Sequence, residues 1–65
     1  MWSLRKDGGT LTCVLQHRPD AGWDLKLELN GKLLRVDSCH DDRKAATLIA
    51  RWQYQAMRKG WIEPT

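Results

Sequence analysis

Arg43, Lys44, Arg51, Arg58 and Lys59 are the charged residues of "RKAATLIARWQYQAMRKGW", the stretch from Arg43 to Trp61, and no carboxylate interrupts them. Guanidinium and ammonium groups in such a run suit phosphate oxygens, because each contact releases condensed counterions and arginine adds a planar fork of donors. The chemistry they could do is recognition of a polyanion, DNA or RNA, without bond making. At about 100° per residue, Lys44, Arg51 and Arg58 fall in a narrow sector opposite a stripe of Ala45, Leu48 and Trp52, with Thr47, Tyr54 and Gln55 beside them. An ordinary solvated helix would select part of this pattern. Arg58 and Lys59 suit any helix C-terminus, Asp41 and Asp42 any N-terminus, and Arg43 and Lys44 could pair with those carboxylates or with Asp37.

Other chemistries fit the residues less well. Cys13, His17, Cys39 and His40 are four potential zinc ligands, but neither C-x-x-C nor H-x-x-x-H spacing occurs, so no metal site is expected. Cys39 beside His40 stands near a helix start, where a thiol can ionise more easily. Neighbours in sequence seldom have the geometry that a nucleophile and its base require, and there is no glycine-rich phosphate loop. The chain is therefore expected to lack enzymatic activity and a cofactor.

The elements that must position these residues follow from punctuation and period. Asp7-Gly8-Gly9, Pro19-Asp20-Ala21-Gly22, Asn30-Gly31, Gly60 and Pro64 divide the chain. In "WDLKLEL", Trp23, Leu25, Leu27 and Leu29 alternate with Asp24, Lys26 and Glu28, which predicts a strand over 23–29 with one buried face. Asn30-Gly31 suits a two-residue type I′ turn and returns the chain as a strand over 32–38. That register sets Leu27 opposite Leu34 and Leu25 opposite Val36 inside, with Lys26 facing Arg35 and Asp24 facing Asp37 outside. Leu33 and Val14 also point outward. Further strands are expected over 10–16, with Leu11, Cys13 and Leu15 on one side, and over 2–6.

From about residue 41 the period becomes helical. Ala45, Leu48, Ile49, Trp52 and Ala56 form one stripe, Ser38 or Asp41 serves as the N-cap, and Gly60 fits the position after the C-cap, so a helix is expected over 41–59. The predicted architecture is α+β in two layers, a three- to four-stranded antiparallel meander packed against one C-terminal α-helix.

Sixty-five residues with a net charge of +3 make one small domain whose mild basic bias permits a polyanionic partner. No stretch approaches the roughly 18 apolar residues of a membrane span, and the opening "MWSLRKD" lacks a secretory apolar core. A cytoplasmic location with reduced thiols is expected, and no membrane partner. The like-charge pair of Lys26 and Arg35 on the outer sheet face could be kept for an anion, though Asp24, Glu28 and Asp37 balance it there. Of the four tryptophans, Trp23 and Trp52 are expected in the core.

In layout, "WDLKLELNGKLLRVDSCHDDRKAATLIARWQYQA" resembles the AP2/integrase-type DNA-binding domains, three antiparallel strands followed by one packing helix, over Leu11 to about Met57. The segment Asp41-Asp42-Arg43-Lys44-Ala45-Ala46 looks like that family's helix entry. The resemblance implies DNA binding by arginines and tryptophans on the sheet, whereas here the tryptophans are expected to face inward. The chain is also similar to short bacterial proteins of unknown function that open with a tryptophan, "LRKDGGTLTC" and a "GW" strand. The resulting expectation is a non-enzymatic binding module that takes nucleic acid through Arg43, Lys44, Arg51, Arg58, Lys26 and Arg35. The alternative is a protein-interaction or homodimerisation domain using Leu33, Val14 or Trp61.

Overall fold

The structure is a computed structural model that describes residues 2–20 and 22–63. Four strands, β1 (Trp2–Lys6), β2 (Gly9–His17), β3 (Trp23–Leu29) and β4 (Lys32–Cys39), precede one helix, α1 (Asp42–Arg58). The sheet order is β1-β2-β3-β4 and every pairing is antiparallel. This is the two-layer α+β meander that the alternating leucines and the helical stripe predict. The expected turn residue Ala21 and Pro64 lie outside the described residues.

Both tight hairpins rest on residues that tolerate a left-handed backbone. Asn30 (φ 53°) and Gly31 (φ 82°) join β3 to β4, as Asp7 (φ 50°) and Gly8 (φ 81°) join β1 to β2. Both central positions of a type I′ turn need positive φ, which Asn, Asp and Gly accept at least cost. The helix begins at Asp41, whose side chain accepts from the Arg43 amide at 2.8 Å, so Asp41 and not Ser38 is the cap. It ends in a Schellman motif: the Trp61 amide donates to the Ala56 carbonyl at 3.2 Å and the Gly60 amide to that of Met57 at 3.1 Å. Gly60 takes φ 100° to allow this.

Leu4, Leu11, Cys13, Leu25, Cys39, Ala45, Trp52 and Ala56 are buried. Six of them form two adjoining clusters, with Trp52 over Cys13 and Leu25, and Ala56 over Leu4 and Leu11. Trp61 packs on the second cluster beyond the helix end. Two indoles tie the layers together by hydrogen bonds. Trp2 Nε1 donates to the Ile49 carbonyl at 2.9 Å, and Trp23 Nε1 to the Asp42 carboxylate at 2.6 Å.

In β4 the expected register fails. A bulge opposite Leu27 and Glu28 pairs Glu28 with Leu33 but Leu27 with Arg35, leaving Leu34 as the extra residue. Beyond it the faces exchange: Arg35, Asp37 and Cys39 pair with Leu27, Leu25 and Trp23, while Val36 pairs with Lys26. Arg35 is therefore on the helix side and does not face Lys26, and Val36 points outward. A one-residue slip moves every later side chain to the other face.

Candidate nucleic-acid interface

The bulge decides what lies beneath the helix rim. The Arg35 guanidinium stands 4.7 Å from the Trp52 ring centroid and 3.0 Å from the Asp37 carboxylate. An aliphatic stem covering apolar surface with its charged head at the edge is the usual compromise for a half-covered position. Asp37 is thereby engaged.

The other carboxylates near the helix start are engaged as well. Asp41 accepts from the Arg43 backbone and Asp42 from the Trp23 indole. Pairing of Arg43 and Lys44 with Asp37, Asp41 or Asp42 does not occur. Among the described residues the ion pairs are Arg18 with Asp20 and Asp24, and Arg35 with Asp37. Arg43, Lys44, Arg51 and Arg58 are all exposed and belong to none of them.

Three of these cations line one groove of about 540 Å³, whose walls are α1 (Arg43, Lys44, Thr47, Leu48 and Arg51) and the last residues of β4 (Asp37, Ser38 and Cys39). The sector holding Lys44 and Arg51 thus lies on the flank of α1 that overhangs β4, not diametrically opposite the buried stripe. At about 100° per residue both lie roughly 100–120° from Ala45, on the Leu48 side. Thr47 borders the groove and its hydroxyl donates to the Arg43 carbonyl at 2.9 Å, whereas the Ser38 hydroxyl turns to the uncovered face and donates to Asp24 at 2.7 Å. Arg58 continues the flank toward the helix end, where its guanidinium lies 5.8 Å from the Tyr54 ring centroid.

Lys26 and Arg35 do not join this cluster. Lys26 lies on the uncovered sheet face between Val14 and Val36 and donates to Gln16 at 2.9 Å. That face compensates its own charge, since Asp24 accepts from Ser38 and pairs with Arg18 at 3.6 Å. Sequence reasoning passed over Arg18 and also Lys6, whose ammonium donates to the Lys59 carbonyl at 2.7 Å at the helix end. Asp20 in the turn and Asp24 at the start of β3, both close to Arg18 in sequence, were the available signal.

Of the residues considered for metal or nucleophilic chemistry, Cys13 and Cys39 are buried free thiols, and burial pushes the Cys13 thiol up. His17 stacks edge-on against Trp23 with ring centroids 4.6 Å apart. Among the described residues there is no group of three or more His, Cys, Asp or Glu side chains that could hold a metal ion, and no helix long and apolar enough to cross a membrane.

The fold and groove define a small α+β domain with an open sheet face, an exposed edge strand and a cationic cleft between that edge and its helix. No family model matches the chain, and no significant match occurs among curated proteins or solved structures.

Proposed function

We propose that this protein is a small non-enzymatic binding module that holds the phosphate backbone of a nucleic acid along the β4-facing flank of α1. The observation that carries the reading is the set of unpaired cations beside carboxylates that are already taken. The side chains of Arg43, Lys44 and Arg51 stay exposed while Asp37 pairs with Arg35, Asp42 accepts from Trp23 and Asp41 caps the helix backbone. Asp41 and Asp42 keep their charge at the helix start and offset part of that of these cations, but from Arg43 to Arg58 the flank carries no carboxylate, and cations so arranged draw counterions that a polyanion can displace.

Spacing favours a chain of phosphates over a single small anion. Lys44, Arg51 and Arg58 recur every seven residues, about 10.5 Å apart at 1.5 Å rise per residue, so the ridge extends for about 21 Å. The ligand lies on the helix flank and not on the sheet face that the AP2/integrase resemblance implies.

Fluorescence anisotropy with short single-stranded DNA, duplex DNA and RNA tests this. Three duplex phosphate contacts give a log–log salt slope near −2.7, roughly 40-fold weaker binding between about 50 and 200 mM salt. Replacing Arg43, Lys44 and Arg51 together by Gln should remove most of the slope, leaving the share of Arg58, with an unchanged circular dichroism spectrum. Absence of binding to all three probes at low salt, or equal binding by the triple variant, would refute the proposal.

A further inference from the structure

The two edges of the sheet are treated differently. Along β1, Arg5 and Ile62 exchange backbone hydrogen bonds of 2.7 and 2.9 Å, so the C-terminal segment covers part of that edge. Among the described residues no such bridge covers β4. Yet β4 carries Leu33, Leu34 and Val36, exposed by 53%, 56% and 43%. Proteins blunt a free edge with lysine, proline, bulges, inward-pointing charges or covering segments. Strand β4 has Lys32, the bulge at Leu34 and the charges of Arg35 and Asp37 but, among the described residues, no covering segment, and its exposed apolar residues still offer a template to a strand that can match those charges.

We infer that β4 joins two copies of this chain, strand to strand and antiparallel, with Val36 on the two-fold axis. The occupant and the register both follow from charge. Directly opposed residues in an antiparallel pair share a face, so the axis must pass through a residue and not between two. An axis at Arg35 would oppose two guanidiniums on the covered face, and an axis at Asp37 two carboxylates. An axis at Val36 sets Arg35 against the partner's Asp37 and Asp37 against the partner's Arg35.

Arg35 already pairs with Asp37 within one chain at 3.0 Å, so the junction closes a ring of four alternating charges. On the other face Val36 meets the partner's Val36. About Val36 the regular pairing spans Arg35 to Asp37 on each strand, and Leu34, the bulged residue, falls at its end opposite the partner's Ser38. A surface that is its own complement in this way is what a two-fold dimer requires. Both helices then lie on the same face of an eight-stranded sheet, one on each side of the axis. Asp37 also walls the cationic groove, and the axis turns the β4-facing flanks of both helices, with Arg43, Lys44 and Arg51, toward each other, so the dimer should tighten as salt screens them.

Sedimentation velocity of the chain over a concentration series tests it. The expected species has twice the 7.6 kDa mass of one chain. Val36→Lys puts two ammonium groups across the axis at an exposed position, and should return the 7.6 kDa species with an unchanged circular dichroism spectrum. Arg35→Asp should weaken the dimer, and Arg35→Asp with Asp37→Arg should restore it. A monomer up to millimolar concentration overturns the inference, as does a dimer indifferent to Val36→Lys. A monomer whose β4 amides shift only on adding an acidic extended peptide would assign the edge to a different occupant and overturn it equally.

Discussion

Arg35 lies over the ring of Trp52, the guanidinium carbon 4.7 Å from its centroid, while its nitrogen reaches Asp37 at 3.0 Å. The contact closes the rim where α1 overhangs β4, over the largest side chain in the core. Because the Arg35 side chain is 55% exposed, the contribution is that of an exposed cation–π pair, about 0.5–1 kcal/mol. Arg35→Ala should lower the thermal midpoint by about 2–8 °C for a domain of this size. Circular dichroism melting checks the value, and Arg35→Lys should recover less than half of the loss, since an ammonium cannot stack as a plane.

Trp52 carries a larger share. Only 4% of it remains exposed, and it spans the cluster containing Cys13 and Leu25. Removing a buried aromatic costs about 3–5 kcal/mol, comparable to the whole stability a core of this size provides. Trp52→Ala should leave the chain largely unfolded at 25 °C, read from collapsed amide dispersion in an NMR spectrum; Trp52→Phe should fold with a reduced midpoint.

The helix start can be weakened without touching the core. Asp41 caps the Arg43 amide at 2.8 Å, and losing such a cap costs about 1 kcal/mol. Asp41→Ala should lower the urea midpoint with an unchanged slope, and Asp41→Asn should restore most of it. Equal midpoints for wild type and Asp41→Ala would place the effective cap elsewhere.

Cys13 gives a pH dependence of defined sign. Burial raises its thiol above the ordinary value of 9.0, so the folded chain keeps the proton that the unfolded chain releases. This contribution to stability is fully present below the unfolded value and is lost as pH rises through the folded one. Urea midpoints should therefore fall more steeply in wild type than in Cys13→Val as pH rises above 9.0. Parallel curves would show that the thiol does not ionise on unfolding.

The strands and helix were legible wherever local period and burial agree. "WDLKLEL" alternates without fault and becomes β3 over Trp23–Leu29, and the Ala45, Trp52 and Ala56 stripe becomes the buried side of α1. Asn30-Gly31 specified its turn because positive φ at two successive positions is restrictive. The bulge was not legible. Leu33-Leu34 reads equally well as one residue in and one out, and the contact of Arg35 with Trp52 that accompanies the inserted residue is made across the layers, where no local pattern reports it.

Of the site, the exposure of Arg43, Lys44, Arg51 and Arg58 could be read from the period of α1, but their convergence with β4 could not. Period gives the angle of a residue around its own helix axis. Which flank overhangs a sheet edge depends on where the helix settles over the leucines, and this turned a sector expected opposite the core into one wall of a groove. Lys26 and Arg35 were separated by the same slip that reset β4.

The Ile62 bridge on β1 has a consequence for solubility. A sheet open on both sides could polymerise without limit, each molecule offering the next a fresh ledge. Here the Arg5–Ile62 bridge takes up backbone groups on one margin, so an incoming strand finds fewer free partners there than a bare ledge would offer.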